Sequence, residues 1–391
     1  MLIRSAGLFG LAFLVGLLAL FVAGCGEEPG SGNGSGGGAG GAGDGDRPAV
    51  VNIGVVLPLS GPVQSYGVET REGLRLAIPR RPINGTRINL LEQDNNSDPQ
   101  ATKTRVEVLV DQQQVAAVIG AIQSAATEFG AQVATDKNVP MITPASTNAT
   151  LTQQYGKLAR LCYTDDVQGP ACVDIAMRYL EAEEIAPADA RAVIAYAQGD
   201  TYSDGLRQQI TANLEARGVS QIQDFAFRND APNYGAIVSN TNAADPHVVF
   251  LPYYFDKVLP TLQTAQESGA WRNAIVIGPD GWDSPDLFAN PAVFDQAGGG
   301  FRAFMVTHFV ADDPRETVQQ FVQLYRETYG SDRTPGAMAA LGYDAGLVIT
   351  DVLRRVITEP GKVPTRDEIW AALLETDLEG VTGRIRFGEN R

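Results

Sequence analysis

The chain has 391 residues, 44% of them hydrophobic and 19% charged, enough for two domains with cores of their own. A formal net charge of −16 excludes nucleic-acid binding through phosphate neutralisation and docking on anionic lipid through a polybasic patch. The spacing of its three cysteines and two histidines, His247 and His308, does not suit a four-ligand zinc site, and no metal or other cofactor is expected.

In chain order, residues 1–25 open with Arg4 and continue as a long apolar run ending Val22-Ala23-Gly24-Cys25, the layout of a secretion signal. The run is also long enough to span a bilayer uncleaved; the small residues before Cys25 favour cleavage. This ending resembles the lipobox of bacterial lipoprotein precursors, which implies cleavage before Cys25 and lipidation of its thiol. Residues 26–46 are about half glycine with no apolar periodicity. Such a segment is a flexible tether with a reach of about 25 Å, and no Gly-Lys-Ser/Thr follows it to make a phosphate loop.

From Val50 onward apolar strands alternate with amphipathic helices. The predicted strands are Val50–Leu57, Arg87–Glu92, Val115–Gly120, Val139–Ile142, Ala192–Tyr196, Ile222–Ala226, His247–Leu251, Ala274–Ile277 and Ala303–Thr307. Ser124 to about Lys137 reads as a helix. Ser203–Arg217 puts Leu206, Ile210 and Leu214 on one face and stops at Gly218. Another helix opens at Asp313-Pro314, carries Val318, Phe321, Val322 and Tyr325 inward and ends at Gly330. Repeated strand–helix units predict an α/β fold with mostly parallel, doubly wound sheets. The strands are too many for one such unit, so they are divided between two lobes.

The candidate site follows from strand ends. Val115–Gly120 and Val139–Ile142 each run into a loop of small and hydroxyl residues, Ser124 in the first and Thr143-Pro144-Ala145-Ser146-Thr147 in the second. Ligands of open α/β sheets bind at the carboxyl ends of strands. Small side chains let a ligand reach backbone N–H groups at a helix start, and hydroxyls serve either charge of a zwitterion. Helix capping is the plain alternative for each hydroxyl taken singly.

These motifs resemble the branched-chain amino-acid binding proteins of ABC importers, the type I periplasmic binding proteins. Val118-Ile119-Gly120 with Ser124, and Pro140-Met141-Ile142-Thr143-Pro144-Ala145-Ser146-Thr147, carry the likeness. So do Val55-Val56-Leu57-Pro58-Leu59-Ser60-Gly61-Pro62 with Tyr66-Gly67, Asp166-Val167-Gln168-Gly169 and Gly278-Pro279-Asp280-Gly281, in the family's order from about Val50 to about Phe387. The resemblance implies two lobes joined by three crossovers, near Asp166, Phe309 and Thr376. Lobe one is then 50–165 plus 310–375, and lobe two 166–309 plus 376–391. Relatives continue past the Gly383–Phe387 strand into a further one, which implies an absent or rearranged last element here.

Residue by residue, the resemblance gives Ser124, Ala145, Ser146 and Thr147 to the ligand's α-carboxylate and α-amino groups and Asp280 to its ammonium. Tyr66, Tyr202 and Tyr254 wall the pocket, with Trp282 at the side-chain end. A Pro-Asp-Gly turn is the plain alternative for Asp280, and the choice between Tyr253 and Tyr254 stays open by one position. Once Cys25 is lipidated, Cys162 and Cys172 are an even pair, which in an exported chain reads as a disulfide; two free buried thiols are the alternative. No Gly-x-Ser-x-Gly elbow or His-Glu-x-x-His occurs, so no enzyme is expected. The expectation is a monomeric, lipid-anchored, extracytoplasmic binding protein that closes on an amino acid and presents it to an ABC permease. An amide or urea ligand, a sensor role and a protein-interaction lipoprotein are the alternatives.

Overall fold

A computed structural model describes residues 48–388. The expected leader, Cys25 and the tether lie outside the described residues, as does the end of the chain from 389.

The first half alternates strictly. β1 (Ala49–Leu57), α1 (Gln64–Ala77), β2 (Thr86–Asp94), α2 (Pro99–Glu107), β3 (Ala117–Gly120), α3 (Ser124–Asp136), β4 (Met141–Thr143), the short α4 (Leu151–Gln154) and β5 (Leu158–Arg160) build one parallel sheet. The second follows as α5 (Asp165–Ala182), β6 (Arg191–Gln198), α6 (Thr201–Ala216), β7 (Gln221–Arg228), α7 (Tyr234–Ala243), β8 (Val248–Phe250), α8 (Phe255–Ser268), β9 (Ile275–Gly278), the one-turn α9 (Pro285–Phe288) and β10 (Arg302–Met305). Then come α10 (Glu316–Tyr329), α11 (Ala337–Val356), α12 (Arg366–Leu374) and the antiparallel pair β11 (Asp377–Glu379) and β12 (Arg384–Arg386).

Both five-stranded sheets have one order. The first runs β2-β1-β3-β4-β5, the second β7-β6-β8-β9-β10. Each therefore reverses direction at one point, between β1 and β3 and between β6 and β8. The central strands are fully buried: β3 and β9 show burial at every position, as parallel strands covered on both faces require. Every expected strand is present. The sequence reading passed over β5, whose Leu-Ala-Arg is too short and mixed to show a period.

α1 and α11 cross with almost no spacer. A Cβ on Gly73 would lie 1.8 Å from the Ala339 carbonyl oxygen, and one on Gly342 would lie 2.1 Å from that of Thr70. This ties the chain after β10 to the first sheet's helices. Residues 376–391, expected with lobe two, begin as a hairpin that joins neither five-stranded sheet. Its turn hangs from Asp344 of α11, which accepts from Val381 N (2.8 Å) and from Thr382 N and Oγ1 (2.9 and 2.6 Å). Beside it, a groove of about 660 Å³ is lined by residues 160–164 and 384–388, none of them an expected ligand-binding residue.

Candidate functional site

The residues expected to bind ligand converge where both sheets reverse. Tyr66 and Ser124 follow β1 and β3; Tyr202 and Tyr254 follow β6 and β8. At such a switch point adjacent loops leave in opposite directions and open a crevice at the strand ends. Here two crevices face each other. Tyr66 Oη donates to Gly281 O (2.5 Å), Ser65 and Ser284 hydroxyls meet at 3.1 Å, and Asn148 Nδ2 donates to Thr201 O (2.8 Å). Thr201 Oγ1 donates to Glu128 (3.0 Å), closing the same seam between α6 and α3. The two lobes thus touch along the cleft, and all nine expected ligand-binding residues are buried.

On the first lobe, Ser124 is the first residue of α3, whose N-cap Gln123 supplies no side-chain hydrogen bond to the helix end. Ser124 N donates to Tyr254 Oη of the second lobe (3.4 Å), and the dipole of such a helix end favours negative charge. Ser124 Oγ accepts from Asn148 N (3.3 Å), so the two loops are stitched to each other. Ala145 is buried between them. Ser146 differs from expectation. Its hydroxyl turns into the lobe, toward Thr127 Oγ1 (2.5 Å) and Ile122 O (2.9 Å), and holds the loop instead of facing the cleft. Thr147 Oγ1 is buried without a hydrogen-bond partner. Arg160 sets this loop's shape by donating to Ser146 O (3.3 Å) and Asn148 O (2.6 Å).

On the second lobe, Asp280 begins the turn after β9. Its Oδ1 accepts from Tyr202 Oη (2.7 Å) and its Oδ2 lies 3.0 Å from His308 Nε2, with both side chains almost fully buried. Tyr202 in turn accepts from Gly281 N (2.8 Å), so one hydroxyl fixes both the acid and its turn. His308 lies under the Tyr163 ring (centroids 3.8 Å apart). Tyr254 stacks on Tyr202 at 4.5 Å and meets Tyr66 edge-on at 6.3 Å, completing an aromatic wall. The open register is resolved. Tyr254 faces the cleft, while Tyr253 turns into the lobe toward Thr261 (3.1 Å) and Phe227. Trp282 is less free than expected: its indole lies over Gly278 and donates to Leu251 O (3.0 Å), clamping the Asp280 turn to the end of β8.

Burial governs the site's electrostatics. It raises the Tyr66, Tyr202 and Tyr254 hydroxyls well above the phenol range, with Asp280 adding to the first two and Asp200 to the third, so they remain donors. Asp165 is pushed up to about 7, first by burial, which the Gln168 hydrogen bond (2.9 Å) and the nearby Thr147 hydroxyl only partly oppose. Its Oδ2 has no partner at hydrogen-bond distance. The acid that the crossover motif turns inward is thus Asp165; the neighbouring Asp166 is exposed. Glu69 is pushed up to about 8 by burial and then by Asp283.

The expected Cys162–Cys172 bridge is absent; both thiols are free. Cys162 lies on the extended crossover, against the core shared by both lobes. Cys172 is more than a turn into α5 and buried in the second lobe's own core, with Sγ toward Gly278 O (3.8 Å). Burial raises both thiols, which makes them inert. Sequence reasoning missed Asp165, Glu69, Asp283 and His308 as groups lining this region. For Asp165 a signal existed, since it adjoins the Asp166-Val167-Gln168-Gly169 motif; His308 stands out in the sequence only as a candidate metal ligand.

Two α/β lobes with facing switch-point crevices define a cleft-binding protein. Residues 50–391 match the family model described as periplasmic binding protein. The chain belongs to this family, and it is accordingly a binding protein and not an enzyme. It is 27% identical over 226 residues to an amino acid binding protein of Pseudomonas aeruginosa, covering 56% of this chain and 58% of that one. It is 23% identical to the leucine-, isoleucine-, valine-, threonine- and alanine-binding protein of the same species, covering 87% and 86%. The match thus spans little more than half of the first relative's length and most of the second's. Among solved structures, a leucine binding protein of Thermotoga maritima superposes with a TM-score of 0.75 at 26% identity, covering 87% of this chain and 92% of that one. A Rhodopseudomonas palustris solute binding protein in complex with benzoate shares the fold (TM-score 0.73, 17% identity, 87% and 90% covered).

Proposed function

We propose that the protein is the extracytoplasmic solute-binding lipoprotein of an ABC importer, lidded by its own second lobe and binding an amino acid with a branched-chain or other apolar side chain. The observation that carries this reading is the pairing across one cleft of an anion-binding helix start with a buried acid. The α3 N-terminus, Ser124 and Thr147 stand on the first lobe, and Asp280 stands on the second. A ligand α-carboxylate suits the helix start, and its ammonium suits Asp280, Thr147 Oγ1 and the Ala145 carbonyl. Tyr66, Tyr202 and Tyr254 give an apolar side chain a rigid wall. The relatives' names support the same ligand class.

In this reading Cys25 carries the lipid, residues 26–46 tether a monomer to the membrane, and the lobes divide as 50–165 with 310–375 and 166–309 with 376–391. Hinge closure buries the ligand and shapes a surface for the permease. Titration of the purified protein, stripped of bound solute, with the twenty amino acids tests the reading. Binding of leucine, isoleucine or valine is expected, and Asp280→Ala weakens it at least about thirtyfold, the effect of leaving a charge unpaired in a buried site.

A second reading, an amide or urea ligand, draws on one observation: both Asp280 oxygens already have partners in Tyr202 and His308. Each carboxylate oxygen has a second lone pair, so the amino-acid reading stands first. Binding of short amides in place of amino acids in the same titration would reverse that order.

A further inference from the structure

Three contacts join α1 of the first lobe to the 281–284 turn of the second. Two are the Tyr66–Gly281 and Ser65–Ser284 hydrogen bonds. The third has no hydrogen bond to hold it. Glu69, one turn beyond Ser65, and Asp283, beside Ser284, are 5% and 7% exposed and border the same small space. A Cβ on Gly336 would lie 2.9 Å from Glu69 Oε2 and 3.5 Å from Asp283 Oδ1, so the missing side chain leaves room for both carboxyls. Asp283 is provided for. Thr307 Oγ1 donates to its Oδ2, and the Ala337 N–H at the start of α11 faces it. Glu69 Oε2 is buried with no partner.

Two carboxylates from opposite lobes that face one small buried space repel unless one carries a proton. We propose that Glu69 and Asp283 form a proton-dependent latch: closing the lobes makes Glu69 take up a proton, so closure and ligand binding weaken as pH rises. This rests on the reading that the lobes part and close around a ligand. The other charged groups facing the pair do not neutralise it. Glu72 on α1, Asp286 on α9 and Asp280 add negative charge; Arg333, ahead of α11, is occupied by a two-pronged pair with Glu72 (2.8 and 3.0 Å). Thr307, His308 and the α11 N-terminus oppose the burial that raises Asp283, whereas Glu69 Oε2 has no such support, so Glu69 is the member that takes the proton first.

The sign follows. A carboxyl near 4.5 when solvated and raised to about 8 when enclosed is protonated only in the closed state between those values. Closing then takes up a proton, and affinity falls up to about tenfold per pH unit until it levels near the upper value. Asp165 and Asp283, also raised by burial, tilt the dependence the same way, so the discriminating protein is Glu69→Gln.

The test is amino-acid titration of wild type, Glu69→Gln and Asp283→Asn at pH 5.5, 6.5, 7.5 and 8.5, with small-angle scattering of each protein without added ligand at pH 5.5 and 8.5. A wild-type affinity that falls with pH, a clearly shallower slope in Glu69→Gln, and an expansion at pH 8.5 that is present in wild type, smaller in Asp283→Asn and absent in Glu69→Gln are expected. Equal slopes in wild type and Glu69→Gln, or no pH effect in either measurement, overturn the latch. Expansion with pH that Glu69→Gln abolishes, in a protein that binds no amino acid at any pH, keeps the latch and defeats the amino-acid reading.

Discussion

Asp280 shows how much a single side chain depends on its neighbours. Its turn motif stood out in the sequence, and the structure adds why it is an acceptor of fixed direction: Tyr202 and His308 hold one oxygen each. His308 was not readable as its partner, because 28 residues and the whole of β10 separate them and only the fold of the crossover brings them together. Thr147 offers a cleaner dissection. Its hydroxyl is buried and unpartnered, a cost that a ligand hydrogen bond would offset. Thr147→Val is therefore expected to leave the melting temperature unchanged or slightly raised while lowering ligand affinity by about tenfold; calorimetric unfolding and binding titrations on one preparation check both halves. Ser146 reads like Thr147 in sequence, yet its hydroxyl is spent on Ile122 O and Thr127. Only the backbone direction tells the two apart.

At the scale of elements, periodicity and strand-end signals sufficed for every strand longer than three residues in the two main sheets. They failed for Leu158–Arg160, where three residues carry no period, and for Asp377–Glu379; its partner Arg384–Arg386 was legible only through the family resemblance, and a buried acid organises their turn. Asp344 lies under the hairpin turn with three hydrogen bonds to it. Asp344→Asn keeps the shape but replaces one acceptor oxygen by a donor. Faster amide hydrogen exchange confined to residues 377–386 is the expected result. The α1–α11 crossing makes the opposite kind of demand, for the absence of atoms. A methyl on Gly73 cannot fit 1.8 Å from the Ala339 oxygen without parting the helices. Gly73→Ala should cost about 1–3 kcal/mol by overpacking, read as a lower denaturant midpoint at unchanged slope.

For the whole molecule, the repeated strand–helix pattern and the surplus of strands pointed to two lobes, and the two identical sheet orders bear that out. The sequence did not show that the orders match, since strand order is a property of crossovers and not of strands. Matching orders explain why the candidate site is built symmetrically, from one pair of loops on each side; in the proposed function, closure buries the ligand between two sets of strand ends. The central claim is that an amino acid is what those loops close on, and thermal unfolding of the purified, ligand-stripped protein against a panel of amino acids tests it most directly. A ligand bound only by the folded state stabilises it by RT ln(1 + [L]/Kd), about 2.7 kcal/mol at a hundredfold excess over Kd. A clear upward shift with branched-chain amino acids, lost in Asp280→Ala, is the result this account predicts. No shift with any amino acid, in protein shown to be folded, would contradict it.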